Sequence, residues 1–457
     1  MEMMERMSKR FWLLGLTGLV LVGLLLGCGT TYNSSSDGLV LVGSQGSSVV
    51  QSFSFNLNSG HVSSVANSTG DTGTQTCLMN GSPASMVIDA SGSYAYVIFN
   101  ASDQCPNATQ TGIAVLQIKS DGSLTQVGDI VQPAQGNITI SGQAPPNNTE
   151  LVAVKPSMLY RDAAGKFLFV ANRSTSDASN FFVPGSVSVF TIGSAGSLTE
   201  VAGSPFFTTP PFTSAGQSTN DIISVAATPT VFPGIGINGV QNASCSVGIS
   251  PPTSEYLYAV DNIGNQVFEF QVDTSSGVLS PPGGLGSVPS FPADAQPTGV
   301  AVDLCARFVY VSGNLHNRVS AYTICFAVQM PTCPAADGSL VVVPGSPFAL
   351  SGSANGAGPL VVDPFGNNVY VLGTLSNTIS PFKISPVSGA LSALNPATVA
   401  TGTSPKSIAI RADDNWLFVA NYGAATVSQY QVTPATGALA TASPIDTDNL
   451  PWGVAVK

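Results

Sequence analysis

Acid–base chemistry by histidine in this chain would have to use one of two residues, His61 and His316. His316 lies in the phrase NLHNR, two residues before Arg318. With a carboxylate such as Asp261, this pair could supply a general base, a cation that stabilises developing negative charge, and an acid that orients the imidazole. The sequence contains no G-x-S-x-G phrase to offer a serine nucleophile. A surface His–Arg pair without catalysis is the alternative interpretation.

The charge balance argues against nucleic acid as a partner. Lys plus Arg total 14 and Asp plus Glu total 25 in 457 residues, so the net charge is −11. Binding to phosphate backbones depends on clustered Lys and Arg, which this chain lacks. Hydrophobic residues make up 44% of the chain, which excludes a disordered composition.

Residues 1–27 have the pattern of an export signal. Two cations, Lys9 and Arg10, precede the apolar run FWLLGLTGLVLVGLLLG, which at about 17 residues is at the short limit for a membrane span. The run ends in LLGC at Cys28, and this ending resembles the lipobox of bacterial lipoproteins. The resemblance implies lipidation of Cys28, a flexible tether over 28–37, and an exported, membrane-anchored protein that faces the periplasm or the cell exterior.

One phrase recurs through the rest of the chain: Gly, any residue, Leu or Val, then Ser or Thr. Its seven copies or near-copies are GHVSS at Gly60, GSLTQ at Gly122, GSLTE at Gly196, GVLSP at Gly277, GSLVV at Gly338, GALSA at Gly389 and GALAT at Gly437. A second phrase, of the type D-x-x-G-x-x-x-Y-V, begins at Asp89, Asp162, Asp303 and Asp363. Between the two phrases lie short β-branched runs of strand length. Past residue 37 no segment shows a sustained helical period.

Repeats of roughly 40–50 residues with four short strands each describe propeller blades. One blade cannot bury both of its faces, so the sequence predicts an all-β protein, a seven-bladed β-propeller of four-stranded antiparallel blades over 38–457. The first unit lacks a first strand, and the phrase LPWGVAV at 450–456 matches the first-strand phrase QPTGVAV at 296–302. We therefore expect a 1+3 clasp, in which the C-terminal strand completes blade 1 and covers edges that would otherwise be open.

The blades resemble the seven-bladed lactonase propellers, a group that includes 6-phosphogluconolactonase-like and YVTN-repeat proteins. The phrase FVAN, at 169–172 and 418–421, stands where that family has its YVTN phrase. The resemblance implies the propeller fold and a lactonase activity. Lactonases of this group carry phrases such as Gly-Pro-Arg-His at the start of a first strand, whereas the corresponding starts here are SPAS, KPSM, QPTG and SPKS. The implied activity therefore has weaker support than the implied fold.

The longest connections are expected on one face of the ring, the face of the b–c loops and the blade-to-blade links, so we predict the binding site there, around the central channel. The candidate ligand-binding residues start a first strand or follow a second one. They are Lys155, Arg173, Asp261, His316, Arg318, Lys406, Asn421 and Tyr422. His61 falls in a hairpin on the opposite face.

Six cysteines besides Cys28 are an even number, which in an exported protein indicates disulfides. The strand map brings Cys77 and Cys105 to the loop-rich face, where they are predicted to pair. Cys305, Cys325 and Cys333 gather on the opposite face and are predicted to form one pair among them, while Cys245, at the start of the first strand of blade 4, is not expected to reach that cluster. The sequence contains no close cysteine pair of the C-x-x-C type, which a zinc site of cysteines would need. Neither a metal nor a cofactor is predicted.

Two functions of different classes follow from the sequence. The favoured one is a lipid-anchored cell-envelope propeller that binds a small molecule or an envelope protein on its loop-rich face without catalysis. The alternative is a lactonase that hydrolyses a sugar lactone, with His316, Arg318 and Asp261 as the candidate catalytic residues. Whether these three side chains meet at the mouth of the channel distinguishes the two.

Overall fold

Each of the seven repeats folds into one antiparallel sheet. The structure is a computed structural model. It describes residues 37–65, 82–100, 111–134, 136–139, 149–152, 154–176, 182–208, 220–229, 254–326 and 338–457. The predicted signal peptide, most of the predicted tether and Cys28 lie outside these ranges. Among the described residues, no helix reaches the length and hydrophobicity that a membrane crossing needs.

Four strands, named a to d from the central channel outwards, make up each blade. Blade 1 consists of Pro451–Val456, Asp37–Ser44, Val49–Asn56 and Val62–Ser64; blade 2 of Ser82–Ile88, Tyr94–Asn100, Gly112–Ile118 and Leu124–Gln126; blade 3 of Lys155–Arg161, Phe167–Arg173, Ser186–Ile192 and Leu198–Glu200; blade 4 of Ile222–Ala227, Glu255–Asp261, Gln266–Val272 and Leu279–Ser280; blade 5 of Pro297–Val302, Phe308–Gly313, Arg318–Ile324 and Leu340–Val342; blade 6 of Ala357–Val362, Asn368–Gly373, Thr378–Ile384 and Leu391–Ala393; blade 7 of Pro405–Ile410, Trp416–Asn421, Thr426–Thr433 and Ala438–Thr441.

The remaining elements are short. Blades 3 to 7 each add a fifth strand beside strand c, namely Phe206–Phe207, Ser290–Pro292, Phe348–Ala349, Val399–Ala400 and Ile445–Asp446. Two ribbons stand outside the blades, Gly136–Thr139 with Thr149–Val152 and Thr175–Ser176 with Phe182–Val183. Single 3-10 turns cover Ser194–Gly196 and Pro282–Gly284.

The core is divided among the interfaces between blades. In the described residues there are seven clusters of buried apolar side chains, and each draws on two neighbouring blades. Strand a of every blade contacts strand a of the next, all the way round the ring. In the described residues each blade shares its buried apolar side chains with its neighbours, so blades 1 and 7 are covered on both faces only when the ring closes.

The D-x-x-G phrase forms the turn between strands a and b. In blade 3, Oδ1 of Asp162 accepts hydrogen bonds from the backbone N–H groups of Lys166, at 2.7 Å, and Phe167, at 2.8 Å. Gly165 in the same turn has a φ of +71°, a conformation that glycine adopts without strain. The phrase recurs because the same hairpin turn recurs.

The Gly-x-Leu-Ser phrase forms the turn between strands c and d, and it fits against the neighbouring blade. All seven of its glycines have a positive φ, between +69° and +90°. At six of them, a Cβ atom would lie 2.2–2.7 Å from the first or second residue of strand b in the preceding blade; these residues are Trp416, Tyr94, Phe167, Tyr256, Phe308 and Asn368. The two repeated phrases are therefore the two sides of one blade-to-blade contact.

Tyrosine hydroxyls of strand b strengthen three of these contacts. Tyr258 donates to the carbonyl oxygen of Gly338 at 2.7 Å, and Tyr310 donates to that of Gly389 at 3.0 Å. Tyr370 donates to the carbonyl oxygen of Gly437, also at 3.0 Å. At these three positions a side chain of the neighbouring blade packs against the Cα of the turn glycine. The same blade also donates a hydrogen bond to the carbonyl oxygen of that glycine.

The clasp predicted from the sequence is confirmed. Strand Pro451–Val456 pairs antiparallel with Asp37–Ser44, with Val454 opposite Val42 and Ala455 opposite Leu41. Strand b of blade 1 begins at Asp37, the last residue of the predicted tether. The C-terminal strand is therefore the innermost strand of blade 1.

Three carboxyl groups are buried near the blade interfaces with oxygen atoms that accept no hydrogen bond from any described residue. They belong to Glu255, Glu269 and Asp414. Loss of hydration on burial raises the pKa of each to about 8, and the nearby carboxylates of Asp162 and Asp363 add to the effect at Glu255 and Asp414. All three acids therefore bind a proton more tightly in the folded than in the unfolded chain.

This difference predicts how stability depends on pH. Below the pKa that each acid has in the unfolded chain, the acid is protonated in both the folded and the unfolded chain, and its stabilising contribution is complete. That contribution is lost as the pH rises through the pKa that the acid has in the folded chain. The free energy of unfolding is expected to fall by about 2 kcal/mol or more per group between pH 5 and pH 8. Glu269→Gln should reduce that dependence, as measured by urea unfolding at several pH values. As the control, Asp273→Asn should shift stability equally across the range, since Ser275 lowers the pKa of Asp273 to about 2. An unchanged slope in Glu269→Gln would contradict the assignment.

Candidate functional site

A cavity of about 950 Å³ lies along the axis of the ring. Strand a of every blade contributes to its wall. Its loop-rich mouth is the end where the a strands begin and the b–c turns emerge, with Thr298, Asn314 and Thr374 in its lining. The other end carries the a–b turns, with Arg161 and Asp413 in its lining. The cavity is the central channel that the sequence predicts.

The hydroxyl groups in the wall form hydrogen bonds between neighbouring inner strands. Ser85 Oγ accepts from the N–H of Leu159 at 3.1 Å, and Thr298 Oγ1 donates to the carbonyl oxygen of Ala357 at 2.7 Å. Ser224 and Ser407 accept from the next inner strand at 3.2 and 3.3 Å in the same way. These bonds join the inner strands of adjacent blades and leave apolar groups to line most of the channel.

An ammonium group and two aromatic rings meet at the loop-rich mouth. Lys406 Nζ lies 5.1 Å from the ring centre of Trp452 and 5.8 Å from that of Tyr422. The two rings pack edge to face at 5.5 Å. Within the described ranges, no ion pair includes Lys406. Lys406 and Trp452 both line the cavity, so this cluster presents a cation and an aromatic face to any occupant.

His316 is oriented by a carboxylate on the same face of the ring. Its Nδ1 lies 2.8 Å from Oδ1 of Asp294, which leaves Nε2 as the second site for a proton. The imidazole is 53% exposed, whereas the Asp294 side chain is 9% exposed. Oδ2 of Asp294 is buried and accepts no hydrogen bond from the described residues. Asn314, in the same b–c turn as His316, lines the cavity, whereas His316 itself does not.

Asp261 does not take the role that the sequence predicted for it. It is fully buried, and its Oδ1 accepts from the backbone N–H groups of Asp221, at 2.8 Å, and Ile263, at 3.1 Å. Its Oδ2 accepts from the side-chain amide of Gln266 at 3.1 Å. No hydrogen bond joins Asp261 to His316, because both oxygens of Asp261 already hold the b–c turn of blade 4. His316, Arg318 and Asp261 therefore do not form the catalytic group that the sequence suggested for a lactonase, and none of the three lines the cavity.

Arg173 is paired with a carboxylate of the neighbouring blade. Its Nη2 lies 2.6 Å from Oδ2 of Asp221, and its Nε contacts both carboxylate oxygens at 3.2 Å. Lys155, opposite Arg173 on strand a, is exposed. Arg318 is exposed at the start of strand c of blade 5. All three lie on the loop-rich face, and none of them lines the cavity.

Asn421 ends the FVAN phrase and holds its blade together. Its Nδ2 donates to the hydroxyls of Thr426 and Ser428 at 3.2 and 2.9 Å. Asn172, at the same position in blade 3, donates to Ser186 and Ser188 at 3.2 and 2.9 Å. The repeated asparagine therefore joins strands b and c, and the ligand-binding role expected of Asn421 stays a prediction.

Two cysteines predicted for the opposite face are described by the structure. Cys305 lies in the a–b turn of blade 5 and Cys325 follows the end of its strand c; both are buried and disulfide-bonded. The other four, Cys77, Cys105, Cys245 and Cys333, lie outside the described residues. The predicted pairs therefore stay predictions. His61 lies on the same opposite face, exposed beside the turn of Gly60.

Sequence reasoning missed Asp294 and Trp452. Asp294 belongs to the link FPADAQ between blades 4 and 5, and nothing in that phrase marks it as a partner of His316. Trp452 lies in LPWGVAV, where strand alternation would have placed it beside the channel. Only the Trp452 position had a signal in the sequence.

Known proteins share this architecture. Residues 252–450 match the family model described as "Lactonase, 7-bladed beta-propeller". No curated protein sequence matches the chain significantly. Among solved structures, a periplasmic gluconolactonase from Pseudomonas aeruginosa is similar with a TM-score of 0.62 and 18% identity over 92% of this chain and 99% of that one.

Two further solved structures have the same fold. A protein from Bacteroides fragilis, provisionally described as a 6-phosphogluconolactonase, has a TM-score of 0.62 at 18% identity and covers 93% of this chain and 99% of its own. A protein from Lactobacillus plantarum has a TM-score of 0.61 at 15% identity, over 92% and 99%. The ring of seven blades is the fold that this family model describes, and the match to the model covers residues 252–450 of this chain.

Proposed function

We propose that this propeller is a lactone hydrolase that binds its substrate at the loop-rich mouth of the channel. The observation that carries the proposal is the loop-rich face, where Lys406 and Trp452 line the cavity and where His316, outside the lining but in the same turn as the lining residue Asn314, is held by a carboxylate. A cation that stabilises the oxyanion and an oriented base are two groups that accelerate ester hydrolysis. The names of two structural neighbours make gluconolactone and its 6-phosphate the first substrates to test.

The chemistry assigned to these residues balances without a further reactant. Nε2 of His316 takes a proton from water as the water oxygen attacks the ring carbonyl carbon. Lys406 stabilises the oxyanion that forms, because its ammonium has no carboxylate partner among the described residues. When the tetrahedral intermediate collapses, the bond from carbon to ring oxygen breaks. The imidazolium then returns its proton to that oxygen, and a hydroxy acid is released.

Asp294 is a positioning residue in this scheme. Its hydrogen bond to Nδ1 selects the tautomer in which Nε2 can accept a proton. The Asp294 side chain fits here because position 313 is a glycine. A Cβ at Gly313 would lie 2.7 Å from Cβ of Asp294, which is too close. This carboxylate replaces Asp261 in the triad predicted from the sequence.

Removal of the base tests the proposal. His316→Gln is expected to lower kcat for lactone hydrolysis by about 100-fold or more, with a smaller change in KM, because general-base catalysis contributes on that scale. The measurement is acid release from glucono-δ-lactone, 6-phosphoglucono-δ-lactone and δ-valerolactone, corrected for spontaneous hydrolysis. His61→Gln is the matched control, since that exposed histidine lies on the opposite face, and it should retain full activity.

The result that would favour the non-catalytic function is equally clear. If the wild-type protein binds these lactones or their acids and hydrolyses none of them faster than buffer, the propeller is a ligand-binding protein. If hydrolysis proceeds and His316→Gln keeps the wild-type kcat, the base has been misassigned.

We also propose that the propeller works at the cell envelope, anchored by lipid on Cys28. The support comes from the sequence alone, in which LLGC follows an apolar run. Residues 1–36 lie outside the described ranges. Membrane fractionation of Cys28→Ala tests this proposal: the variant should leave the membrane fraction or accumulate unprocessed, and a fully processed variant that stays in membranes would refute lipidation.

A further inference from the structure

Apolar groups make up the larger part of the channel wall. Half-buried aliphatic side chains on the inner strands line it, among them Val87, Ala301, Val361, Ala409 and Val456. The hydroxyls of Ser85, Thr298, Ser224 and Ser407 each form a hydrogen bond between inner strands. Several hydroxyl groups of a sugar in this channel would lie against aliphatic side chains, whereas a hydrocarbon chain needs no polar partner.

The loop-rich face around the mouth has an apolar side. The second residue of the b–c turn is an exposed aliphatic in three consecutive blades: Ile263 is 47% exposed, Leu315 57% and Leu375 70%. In blade 7 the corresponding residue is Gly423, and there Lys406, Tyr422 and Trp452 occupy the mouth. An amphiphilic ligand would meet apolar residues on one side of the entrance and a cation on the other.

Charged groups mark the far end of the channel. Arg161 and Asp413 line the cavity there, and Asp413 Oδ2 lies 3.3 Å from Nε of Arg411. The inner strands have six or seven residues, which at the usual rise is a length of about 20 Å. The channel therefore offers an apolar segment of limited length between two polar ends.

We propose that the channel binds an unbranched hydrocarbon chain whose polar head lies at Lys406, and that the substrates are lactones with an aliphatic tail. The lactone part rests on the proposed function. The tail part stands on the channel wall alone, so it is tested by binding without any turnover. The preferred ligands are then medium-chain alkyl lactones and the hydroxy acids formed from them, ahead of sugar lactones.

Binding of a homologous series decides the point. Calorimetric titration of the full propeller with hexanoate, octanoate and decanoate should show Kd falling about threefold per added methylene. Gluconate, which offers the same carboxylate with hydroxyls in place of the chain, should bind more weakly than decanoate. Lys406→Met should weaken all the carboxylates by about tenfold and leave the chain-length dependence unchanged.

The wall is tested by a change that preserves side-chain shape. Val87→Thr and Val361→Thr each add a hydroxyl to the channel, and they should weaken decanoate binding several-fold while hexanoate is affected less. Val387→Thr is the matched control, because Val387 is exposed on the opposite face of blade 6 and touches no part of the cavity. It should bind the series as the wild type does.

The two proposals fail in different ways. Equal affinity for hexanoate, decanoate and gluconate would overturn the hydrocarbon site, whatever the enzyme hydrolyses. Hydrolysis of δ-decalactone faster than glucono-δ-lactone would support the inference, and the reverse order would overturn it as a statement about substrates. Chain-length-dependent binding together with no hydrolysis of any lactone would refute the proposed function and leave the hydrocarbon site established.

Discussion

A chain that stops after Asn449 will not fold cooperatively. The missing segment contains the whole of strand a of blade 1, which pairs with Val40–Ser44 and contributes Val454 and Ala455 to two different interface cores. The truncation also removes the hydrogen bond from the N–H of Val454 to Ser407, which joins the inner strands of blades 7 and 1. Because every blade depends on its neighbours for burial, the loss affects the entire ring.

Thermal and urea unfolding followed by circular dichroism measure this effect. The truncated chain should lack a single sharp transition and should expose hydrophobic surface to a fluorescent dye. Lys457→Ala is the control, since it removes only the bond from Nζ to the carbonyl oxygen of Gly92 and keeps the strand; it should melt close to the wild type. A truncated protein with the melting temperature of the wild type would disprove the clasp.

Gly389→Ala is expected to destabilise the protein by about 3 kcal/mol or more. The residue has a φ of +74°, where an L residue costs roughly 1–2 kcal/mol. Its new Cβ would also lie 2.5–3.0 Å from the ring of Phe308, and overpacking of this kind costs about 1–3 kcal/mol. Phe308 is buried in the core between blades 5 and 6, so its ring cannot move away without disturbing that interface.

Gly284→Ala separates the two causes. Gly284 has a φ of +72°, and a Cβ there would meet no atom within 4 Å. It therefore carries the conformational cost without the clash, and its unfolding free energy should fall by only about 1–2 kcal/mol. Equal losses in the two variants would show that packing of the turn glycine against the preceding blade adds nothing.

The fold was predictable from the sequence because its signals are local and repeated. The aspartate of the a–b turn and the glycine of the c–d turn each act within a few residues, so both leave a phrase that can be counted. The clasp was predictable for the same reason, since the first-strand phrase of blade 5 recurs at 450–456. Physical contacts between the two phrases, such as Gly389 against Phe308, explain why their spacing is kept.

The site was less predictable, because its geometry arises between blades. The binding face stays a prediction, whereas Asp261 holds its own turn and Asn421 joins two strands. The partner of His316 is Asp294, 22 positions away in a link of irregular backbone. The largely apolar lining of the channel comes from aliphatic side chains contributed by all seven inner strands, and no single phrase of the sequence records it.

The clasp also governs the order in which the molecule can be assembled. The hydroxyl of Ser47 donates to a carboxylate oxygen of Asp448, 401 positions further along the chain, at 3.2 Å. Contacts of such high sequence separation slow folding, since a large loop entropy is lost before they form. During synthesis the first blade must therefore wait, incomplete, for the last strand. Through that interval its open edge can accept the C-terminal strand of another copy, so slow synthesis or a high local concentration of chains would favour strand-swapped oligomers.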